Sequence, residues 1–196
     1  MRKIKVPKIK ISDLKLKGRR VVLRPLKISD SKDIYLNIQD KRIAENTLRI
    51  PWPYQLKDAK SFILKAQKSL RQSKDFAFGI ELKNKKEIIG CIGIDKVSFE
   101  HKKGEIGFWL SSHYWNQGIM TEAGKLLLKF AFGKLKLHRV YGFAFSDNPA
   151  SQRVFKKLGF KREGLHSQAH FRFDRWRDDI SYGLLAKNKA KIRRIN

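Results

Sequence analysis

Cysteine and long apolar runs are the features that this sequence has least of. Its 196 residues include one cysteine, Cys91, which excludes an internal disulfide and leaves no thiolate cluster for a metal ion. We therefore expect no metal and a reducing, cytoplasmic environment. Apolar runs such as "LLL" in "GKLLLKFAFGKL" are broken by lysine far short of the ~20 residues that a transmembrane helix needs. The start of the chain likewise offers no apolar core of a signal peptide, so we expect no membrane partner.

Acidic residues are scarce relative to basic ones. The 18 Asp and Glu residues stand against 45 Lys and Arg residues, and the formal net charge is +27. Residues 1–20 carry nine bases and one acid, and residues 187–196 carry five bases. Such a field attracts polyanions without defining a fold, so the basic tails predict contact with RNA, the ribosome or an anionic cofactor. A general lysine bias of the proteome is an alternative that the sequence leaves open.

The rest of the composition is sufficient for one folded domain. The hydrophobic fraction is 41% and the aromatic fraction is 11%, which is typical of a globular protein rather than a disordered one. The sequence has no internal repeat and no linker rich in proline, glycine or serine. We therefore expect a single domain with a basic extension at each end.

Hydrophobic periodicity predicts a mixed arrangement of strands and helices. The predicted strands are 20–26, 76–82, 87–97, 104–110 and 139–145, with two more inside 161–172 and 178–185. The predicted helices are 29–40 capped by Ser29, 56–70, one through 123–131 that ends near 133–136, and one capped by Asn148 and ended by Gly159. Short turns between 76 and 110 favour an antiparallel meander. The element order predicts an α/β (α+β) single sheet.

The stretch "YWNQGIMTEA", residues 114–123, joins a predicted strand to a predicted helix. The first amides of a helix lack internal partners and carry the positive end of its dipole. Gly118 lets the backbone approach a ligand without a Cβ in the way, so the stretch predicts an anion site. Neither a Walker loop nor a dinucleotide fingerprint is present. From these residues alone, an ordinary glycine-assisted turn into a core helix stays an alternative.

Six stretches, in order, resemble the GNAT superfamily of N-acetyltransferases and, within it, the RimJ/RimL type that acetylates protein N-termini. They are "VVLRPL", "PWPYQLKDAKSFI", "GEIGFWLSSHYWNQGIMTEA", "LHRV", "DNPASQRVFKKLGFKREG" and "RWRDD". The resemblance implies a GNAT fold over residues 19–187, with a basic extension at 1–18 and a basic tail at 188–196. It also implies acetyl-CoA as the co-substrate.

In the GNAT family the turn before the central helix binds the acetyl-CoA pyrophosphate through the pattern Gln/Arg-x-x-Gly-x-Gly/Ala. Here the pattern falls on 115–120, where Gly118 matches, Trp115 replaces the first residue and Met120 replaces the last small one. Because the contacts are mainly backbone amides, binding requires only that the Met120 side chain point away from the phosphates. The cofactor-binding residues implied by resemblance are Trp109, Leu110, Gln117, Gly118, Ile119, Met120, Thr121, Asn148, Ser151 and Lys157.

Three residues are candidates for the chemistry. By resemblance, Ser151 donates a proton to the leaving thiolate; a helix-start hydroxyl that bonds the backbone is the alternative. Glu105 is a candidate base, since a carboxylate within "GEIGFWL" is costly unless it faces a cleft, although a structural ion pair explains it equally. His170 in "SQAHFRF" is the other candidate base, and packing or surface exposure is its alternative. The sequence does not choose between Glu105 and His170.

The sequence thus predicts an acetyl-CoA-dependent N-acetyltransferase that acts on a primary amine. The resemblance makes the N-terminal α-amino group of a protein, with ribosomal proteins first, the leading acceptor class. Such a group, with a pKa of about 7.7–8.0, is partly neutral near pH 7 and can attack the thioester. A polyamine, an amino acid or an aminoglycoside is an alternative acceptor. A non-catalytic RNA- or ribosome-binding protein on a GNAT scaffold is an alternative of a different class. We expect a monomer or a homodimer.

Overall fold

The computed structural model describes residues 7, 9 and 14–189, in which eight strands and five helices lie. The strands are β1 (Leu16–Lys17), β2 (Val21–Pro25), β3 (Phe76–Leu82), β4 (Glu87–Ser98), β5 (Lys103–Leu110), β6 (Arg139–Phe145), β7 (Lys161–Arg172) and β8 (Arg175–Leu185). The helices are α1 (Ser31–Asn37), α2 (Lys41–Glu45), α3 (Leu56–Arg71), α4 (Ile119–Gly133) and α5 (Pro149–Lys157). Most of both predicted basic extensions, and with them the predicted RNA or ribosome contact, lies outside the described residues.

All eight strands form one sheet, in the order β1-β2-β3-β4-β5-β6-β8-β7. Every neighbouring pair is antiparallel except β5 and β6, which run parallel. A parallel pair needs a long crossover connection, and α4 supplies it. The predicted mixed sheet with an antiparallel N-terminal meander is therefore confirmed.

The helices cover the sheet on two sides and bury a core on each. The apolar stripe of α4, which includes Leu127 and Phe130, packs with α5 against one side of the sheet. The stripe of α3, which includes Ala59 and Ile63, packs with α1 against Ile88 on the other side. Both stripes have the spacing of one helical face, as the sequence predicted. None of the helices in the described residues has the length and apolarity to cross a membrane.

The sheet splits between its two parallel strands. β5 and β6 pair only over residues 103–105 and 139–141, although they continue to Leu110 and Phe145. Phe155 of α5 lies where they separate: its ring centroid is 5.7 Å from that of Phe108, and its Cζ is 2.9 Å from the place where a Cβ on Gly142 would lie. Glycine at position 142 therefore leaves room for the ring. Beyond this point the two strand edges have a gap between them.

The predicted start of the first helix was wrong. Residues 28–30 form a 3-10 turn, and α1 begins at Ser31 with Asp30, not Ser29, as its N-cap residue. The buried Asp30 carboxylate accepts hydrogen bonds from the Lys27 backbone N–H at 2.7 Å and from the Arg24 guanidinium at 2.8 and 2.9 Å. This charge-assisted network fixes the local chain more strongly than a serine hydroxyl does.

Three elements begin or exist where the periodicity gave no signal. β1 has two residues and α2 has five, lengths at which neither alternation nor a helical stripe can develop. β8 begins at Arg175 rather than at 178, since its first three residues, two of which are arginines, pair with β7. The other predicted strands and helices lie within a few residues of their predicted bounds.

Candidate active site

A cavity of about 300 Å³ opens beside the split in the sheet. Its walls come from α2 and the loop after it, from the end of β5, from the turn into α4, and from α5. Its volume is at the lower end of the range for small-molecule sites. Four separate segments of the chain thus meet at the gap between β5 and β6.

The cavity brings together nine of the ten residues that the resemblance assigned to the cofactor. Those that line it are Trp109, Leu110, Gly118, Ile119, Met120, Thr121, Asn148, Ser151 and Lys157. Gln117 does not line it: its side-chain Nε2 donates to the His113 carbonyl at 2.8 Å, and its own carbonyl accepts from Arg20 at 2.7 Å. The predicted set is therefore one spatial cluster, with Gln117 directed to its neighbours in the chain.

The turn into α4 has the geometry of an anion site. Gly118 is the N-cap residue at φ 73° and ψ 5°, a left-handed conformation that favours glycine. The N–H groups of its first turn have no intrahelical acceptor, and no side chain within the described residues caps them. Met120, which departs from the family pattern, is 6% exposed and belongs to the core under α4. Its side chain is thus taken up by apolar packing.

The start of α5 holds Asn148 and Ser151 together. Asn148 is buried and caps the helix: its Oδ1 accepts from the Ser151 backbone N–H at 3.1 Å. Its Nδ2 lies 3.0 Å from Ser151 Oγ. Pro149 occupies the first turn, where its missing N–H costs nothing. The predicted capping role of Asn148 is confirmed, and the amide also orients the Ser151 hydroxyl at the cavity wall.

The cavity lining is cationic. Arg42, Arg153 and Lys157 line it, whereas no Asp or Glu is among its lining residues in the described part of the chain. The Arg42 guanidinium lies 4.9 Å from the centroid of the Trp115 ring, a cation–π contact that holds it at the rim. Sequence reasoning missed Arg42 and Arg153. The four-residue spacing from Arg153 to Lys157 on one helix face was a signal that could have found the former.

The two candidate bases lie outside the cavity lining. Glu105 is at the last paired position of the β5–β6 pair, opposite Tyr141, and its Oε2 is 2.8 Å from Lys96 Nζ. Ile106 packs in the core under α4, so alternation places Glu105 on the opposite side of the sheet, with Trp109. Glu105 thus adjoins the point where the gap opens. Glu105 also forms a structural ion pair, the alternative that the sequence left open, and its partner is Lys96.

His170 is part of a separate pair on the β7–β8 hairpin. Its Nε2 lies 2.9 Å from Asp179 Oδ2, and its ring contacts that of Phe145 edge-on with centroids 6.4 Å apart. Burial raises the pKa of the Asp179 carboxyl, while His170 opposes the shift. Phe145 ends β6, three residues before Asn148. His170, on β7, therefore contacts the end of β6, which is one of the two strands that flank the gap.

The last two residues of α2 and the five that follow them span this side of the sheet. We call residues 44–50 the strap. Arg172 of β7 donates to the strap carbonyls of Thr47 at 3.1 Å and Ala44 at 3.4 Å, and also to that of Ile50. At the other side, Arg49 of the strap pairs with Asp95 of β4. The strap is thus fixed at both ends and passes beside the split, where Asn46 and Thr47 line the cavity.

Cys91 is not placed for nucleophilic chemistry. It is buried in β4, as the sequence predicted, and burial raises the pKa of its thiol, so the thiol form dominates. Among residues 14–189 no three His, Cys, Asp or Glu side chains are grouped so that they could hold a metal ion.

The sheet splits between β5 and β6 beside the α4 crossover, and a cavity with basic residues in its lining opens at the split. The family model of the acetyltransferase (GNAT) domain matches residues 20–161, more than two thirds of the chain. The chain belongs to this family and is an N-acetyltransferase.

Curated relatives carry several acceptor names. The probable N-acetyltransferase YjcK of Bacillus subtilis is 30% identical over 158 residues, which are 76% of this chain and 85% of that protein. The ribosomal-protein-serine acetyltransferase of Escherichia coli is 34% identical over 95 residues, 48% of this chain and 52% of that protein. The spermidine N(1)-acetyltransferase of E. coli is 25% identical over 144 residues, 74% of each.

Solved structures share the fold. The ribosomal-protein-S5-alanine acetyltransferase of Vibrio fischeri superposes with a TM-score of 0.80 at 23% identity, over 90% of this chain and 98% of that one. Mycobacterium smegmatis RimJ, in complex with CoA-disulfide, superposes with a TM-score of 0.80 at 24% identity, over 89% and 87%. At these identities the likeness shows the fold alone.

Proposed function

We propose that this chain binds acetyl-CoA in the cavity at the split and transfers the acetyl group to the N-terminal α-amino group of a protein, with ribosomal proteins as the leading class. The observation that carries the donor is the cavity lining, which combines the Gly118 turn with Arg153 and Lys157 and has no carboxylate among its described residues; the third lining cation, Arg42, is ion-paired with Asp40. A polyphosphate is the ligand that such a lining favours. The curated relative named for a ribosomal protein supports the acceptor class.

The residues present fit acetyl-CoA. The N–H groups of residues 118–121 would hold the pyrophosphate, and Arg153 and Lys157 on α5 would face phosphate oxygens from the opposite wall. The free edges of β5 and β6 offer backbone groups to the amides of the pantetheine arm, because those edges do not pair with each other beyond 105 and 141.

Acetyl-CoA supplies a thioester, which reacts with a neutral amine to form an amide and release a thiol. The Ser151 hydroxyl, oriented by Asn148, donates a proton to the departing sulfur and is reprotonated when the base releases the proton that it takes from the amine. Glu105 or His170 accepts the proton that the amine loses. Both bases lie on the side of the sheet where the strap confines an acceptor chain. The amine attacks the thioester directly, and no acetyl-enzyme forms. Positioning supplies much of the rate.

The charges beside the split favour a protein N-terminus over a polyamine. The carboxylates there already have partners: Glu105 and Asp95 are ion-paired with Lys96 and Arg49, and Asp179 Oδ2 lies 2.9 Å from His170 Nε2. A polyamine needs carboxylates that are free to bind its distant ammonium groups. The relative named for spermidine keeps the small amine as the second candidate.

The test of the donor is calorimetric titration of acetyl-CoA into the wild type and two glycine variants. Gly118→Trp should abolish binding, because a side chain is strained at φ 73° and would fill the anion turn. Gly133→Trp is the matched control, since nothing lies within 4 Å of a Cβ there. A wild type that fails to bind acetyl-CoA at millimolar concentration would contradict the proposal.

The test of the acceptor is a rate comparison with the wild type. Peptides that carry ribosomal-protein N-termini, their Nα-blocked forms and spermidine are each offered with acetyl-CoA. Transfer to the free peptides but not to the blocked ones supports the α-amino acceptor. Faster transfer to spermidine than to every peptide would replace it with the small-amine acceptor.

A further inference from the structure

Arg20, which precedes β2, forms a clasp between the N-terminal hairpin and the turn into α4. Its backbone N–H and Nε donate to the Glu122 carboxylate at 2.8 and 3.0 Å, and its Nη1 donates to the Gln117 carbonyl at 2.7 Å. The Val21 N–H adds a bond to the same carboxylate at 3.3 Å. Glu122 thus fixes the guanidinium, and the guanidinium holds the peptide bond that enters Gly118.

The hold on the Gln117 carbonyl controls the amide of Gly118. A trans peptide is planar, and its C=O and N–H point in opposite directions. When Arg20 binds the carbonyl from one side, the N–H of Gly118 is directed to the other side. A cationic donor on the carbonyl also polarises the peptide and strengthens its N–H as a donor. The first amide of the anion turn is therefore oriented and activated from behind.

The remaining nitrogen of the guanidinium lies against the glycine. Arg20 Nη2 is 3.5 Å from the place where a Cβ on Gly118 would lie, and it has no hydrogen-bond partner among the described residues. The arginine side chain is 36% exposed. The guanidinium, which is ion-paired with Glu122, thus stands beside the turn, although Arg20 does not line the cavity.

We propose that Arg20 is a positioning residue for the pyrophosphate: through the Gln117–Gly118 peptide and its own charge it prepares the turn for a diphosphate. This inference rests on the proposed function, since it assigns a role to Arg20 toward acetyl-CoA. It predicts that Arg20 contributes to affinity only when the ligand carries the diphosphate. Arg19, the exposed neighbour in the chain, should contribute only through the general field.

The test is calorimetric titration of CoA and of pantetheine, which lacks every phosphate, into the wild type, Arg20→Ala, Arg20→Lys and Arg19→Ala. Arg19→Ala removes the same charge one residue away. Arg20→Ala should weaken CoA binding about tenfold, as expected for the removal of one charge-assisted hydrogen bond, while the affinity for pantetheine stays within about twofold. Arg20→Lys keeps the charge but not the fork and should lie between.

Each outcome has one meaning. A tenfold loss for CoA alone supports the positioning role, because a general loosening of the fold weakens both ligands. Equal losses for CoA and pantetheine, or equal effects of Arg20→Ala and Arg19→Ala, overturn it and leave the proposed function intact. A wild type that binds no CoA overturns both. If Arg20→Ala does not fold, as judged by thermal unfolding, Arg20→Lys carries the comparison.

Discussion

At the scale of single residues, Asn148 has two hydrogen bonds that substitution can separate. Asn148→Ala loses the helix cap and should lower the free energy of unfolding by about 1 kcal/mol. Asn148→Asp keeps an acceptor for the Ser151 N–H and should change stability by less than about 0.5 kcal/mol. The aspartate should still weaken acetyl-CoA binding, because it places a carboxylate in a cationic cavity. Urea unfolding and calorimetry measure the two effects; equal destabilisation by both variants would contradict the capping argument.

Ser151 tests the chemistry at the same wall. Ser151→Ala removes the proposed proton donor and should lower kcat by about 100-fold, the lower range for general acid catalysis. The free energy of unfolding should hardly change, since Asn148 bonds the Ser151 backbone rather than relying on its hydroxyl. Ser146→Ala, at an exposed position before the same helix, is the control. Steady-state kinetics measure kcat for the wild type and both variants. If kcat of Ser151→Ala is unchanged, Ser151 has a structural role.

The two candidate bases differ in their distance from the split. Glu105 occupies the last paired position before the strands separate, whereas His170 lies two strands away across β8. We therefore expect Glu105→Gln to lower kcat about 100-fold and His170→Gln to lower it much less. Initial rates with a peptide acceptor measure both. The reverse order would assign the base to the His170–Asp179 pair.

The sequence placed Gly118 at the turn into the central helix, where the structure has it as the N-cap residue. Its role toward the cofactor rested on the family resemblance, because an ordinary turn into a core helix has the same local pattern. Arg42 and Arg153 were not recognisable, because each is one of 45 basic residues and only the fold brings them to the same cavity. The partners of Glu105 and His170 lie on other strands and needed the register.

At the scale of elements, the clasp that joins the β1–β2 hairpin to α4 should depend on pH. Hydrogen bonds from Arg20 and Val21 lower the pKa of Glu122 below 4.5, although burial alone would raise it. A depressed pKa gives stability that is present above about pH 4.5 and is lost as the pH falls through the folded-state value. Glu122→Gln should therefore cost about 1 kcal/mol at pH 7, and the difference should shrink below pH 4.5.

The control for that measurement is Glu100→Gln, in the exposed turn before β5. Urea unfolding of the three proteins between pH 7 and pH 3 gives the comparison. If Glu122→Gln lowers the free energy of unfolding as much at pH 3 as at pH 7, packing rather than charge connects the hairpin to the helix.

The strap should control the acceptor and not the donor. Arg172→Ala removes three hydrogen bonds to strap carbonyls, so the strap loses its attachment to β7. We expect the KM for a peptide acceptor to rise about tenfold, which corresponds to about 1.4 kcal/mol, close to the net value of one hydrogen bond. The affinity for acetyl-CoA should stay within about twofold. Arg175→Ala, on the same hairpin, is the control; a loss of acetyl-CoA affinity specific to Arg172→Ala would contradict the argument.

Elements were predictable in proportion to their length. α3, α4 and the strands of the meander develop a full apolar period, so their burial follows from the sequence. The strap, α2 and β1 are held by arginines and by pairing with distant residues, so local pattern carried no information about them. Of the two site residues that were missed, Arg42 lies on one of these short elements, whereas Arg153 lies on the predicted helix α5.

At the scale of the whole molecule, order along the chain was more informative than any one motif. The single sheet was predictable because strands, crossover helix and punctuation followed one another consistently. The split was not, because it depends on Phe155 and Gly142 from elements far apart in the sequence. The strand pairing accounts for that feature, because β5 and β6 pair only over residues 103–105 and 139–141.

The net charge of +27 belongs to this scale and makes the last prediction. If the basic tails bind RNA, a chain reduced to residues 14–189 should bind a labelled single-stranded RNA more weakly. The slope of log affinity against log salt should also be shallower, by about 0.7 for each phosphate that the tails no longer neutralise. Acetyl transfer should persist in the shortened chain, because every cavity-lining residue is retained. Fluorescence anisotropy between 50 and about 500 mM salt measures the slope. Equal slopes for both chains would place any RNA affinity on the domain surface, and loss of transfer would show that the extensions support the site itself.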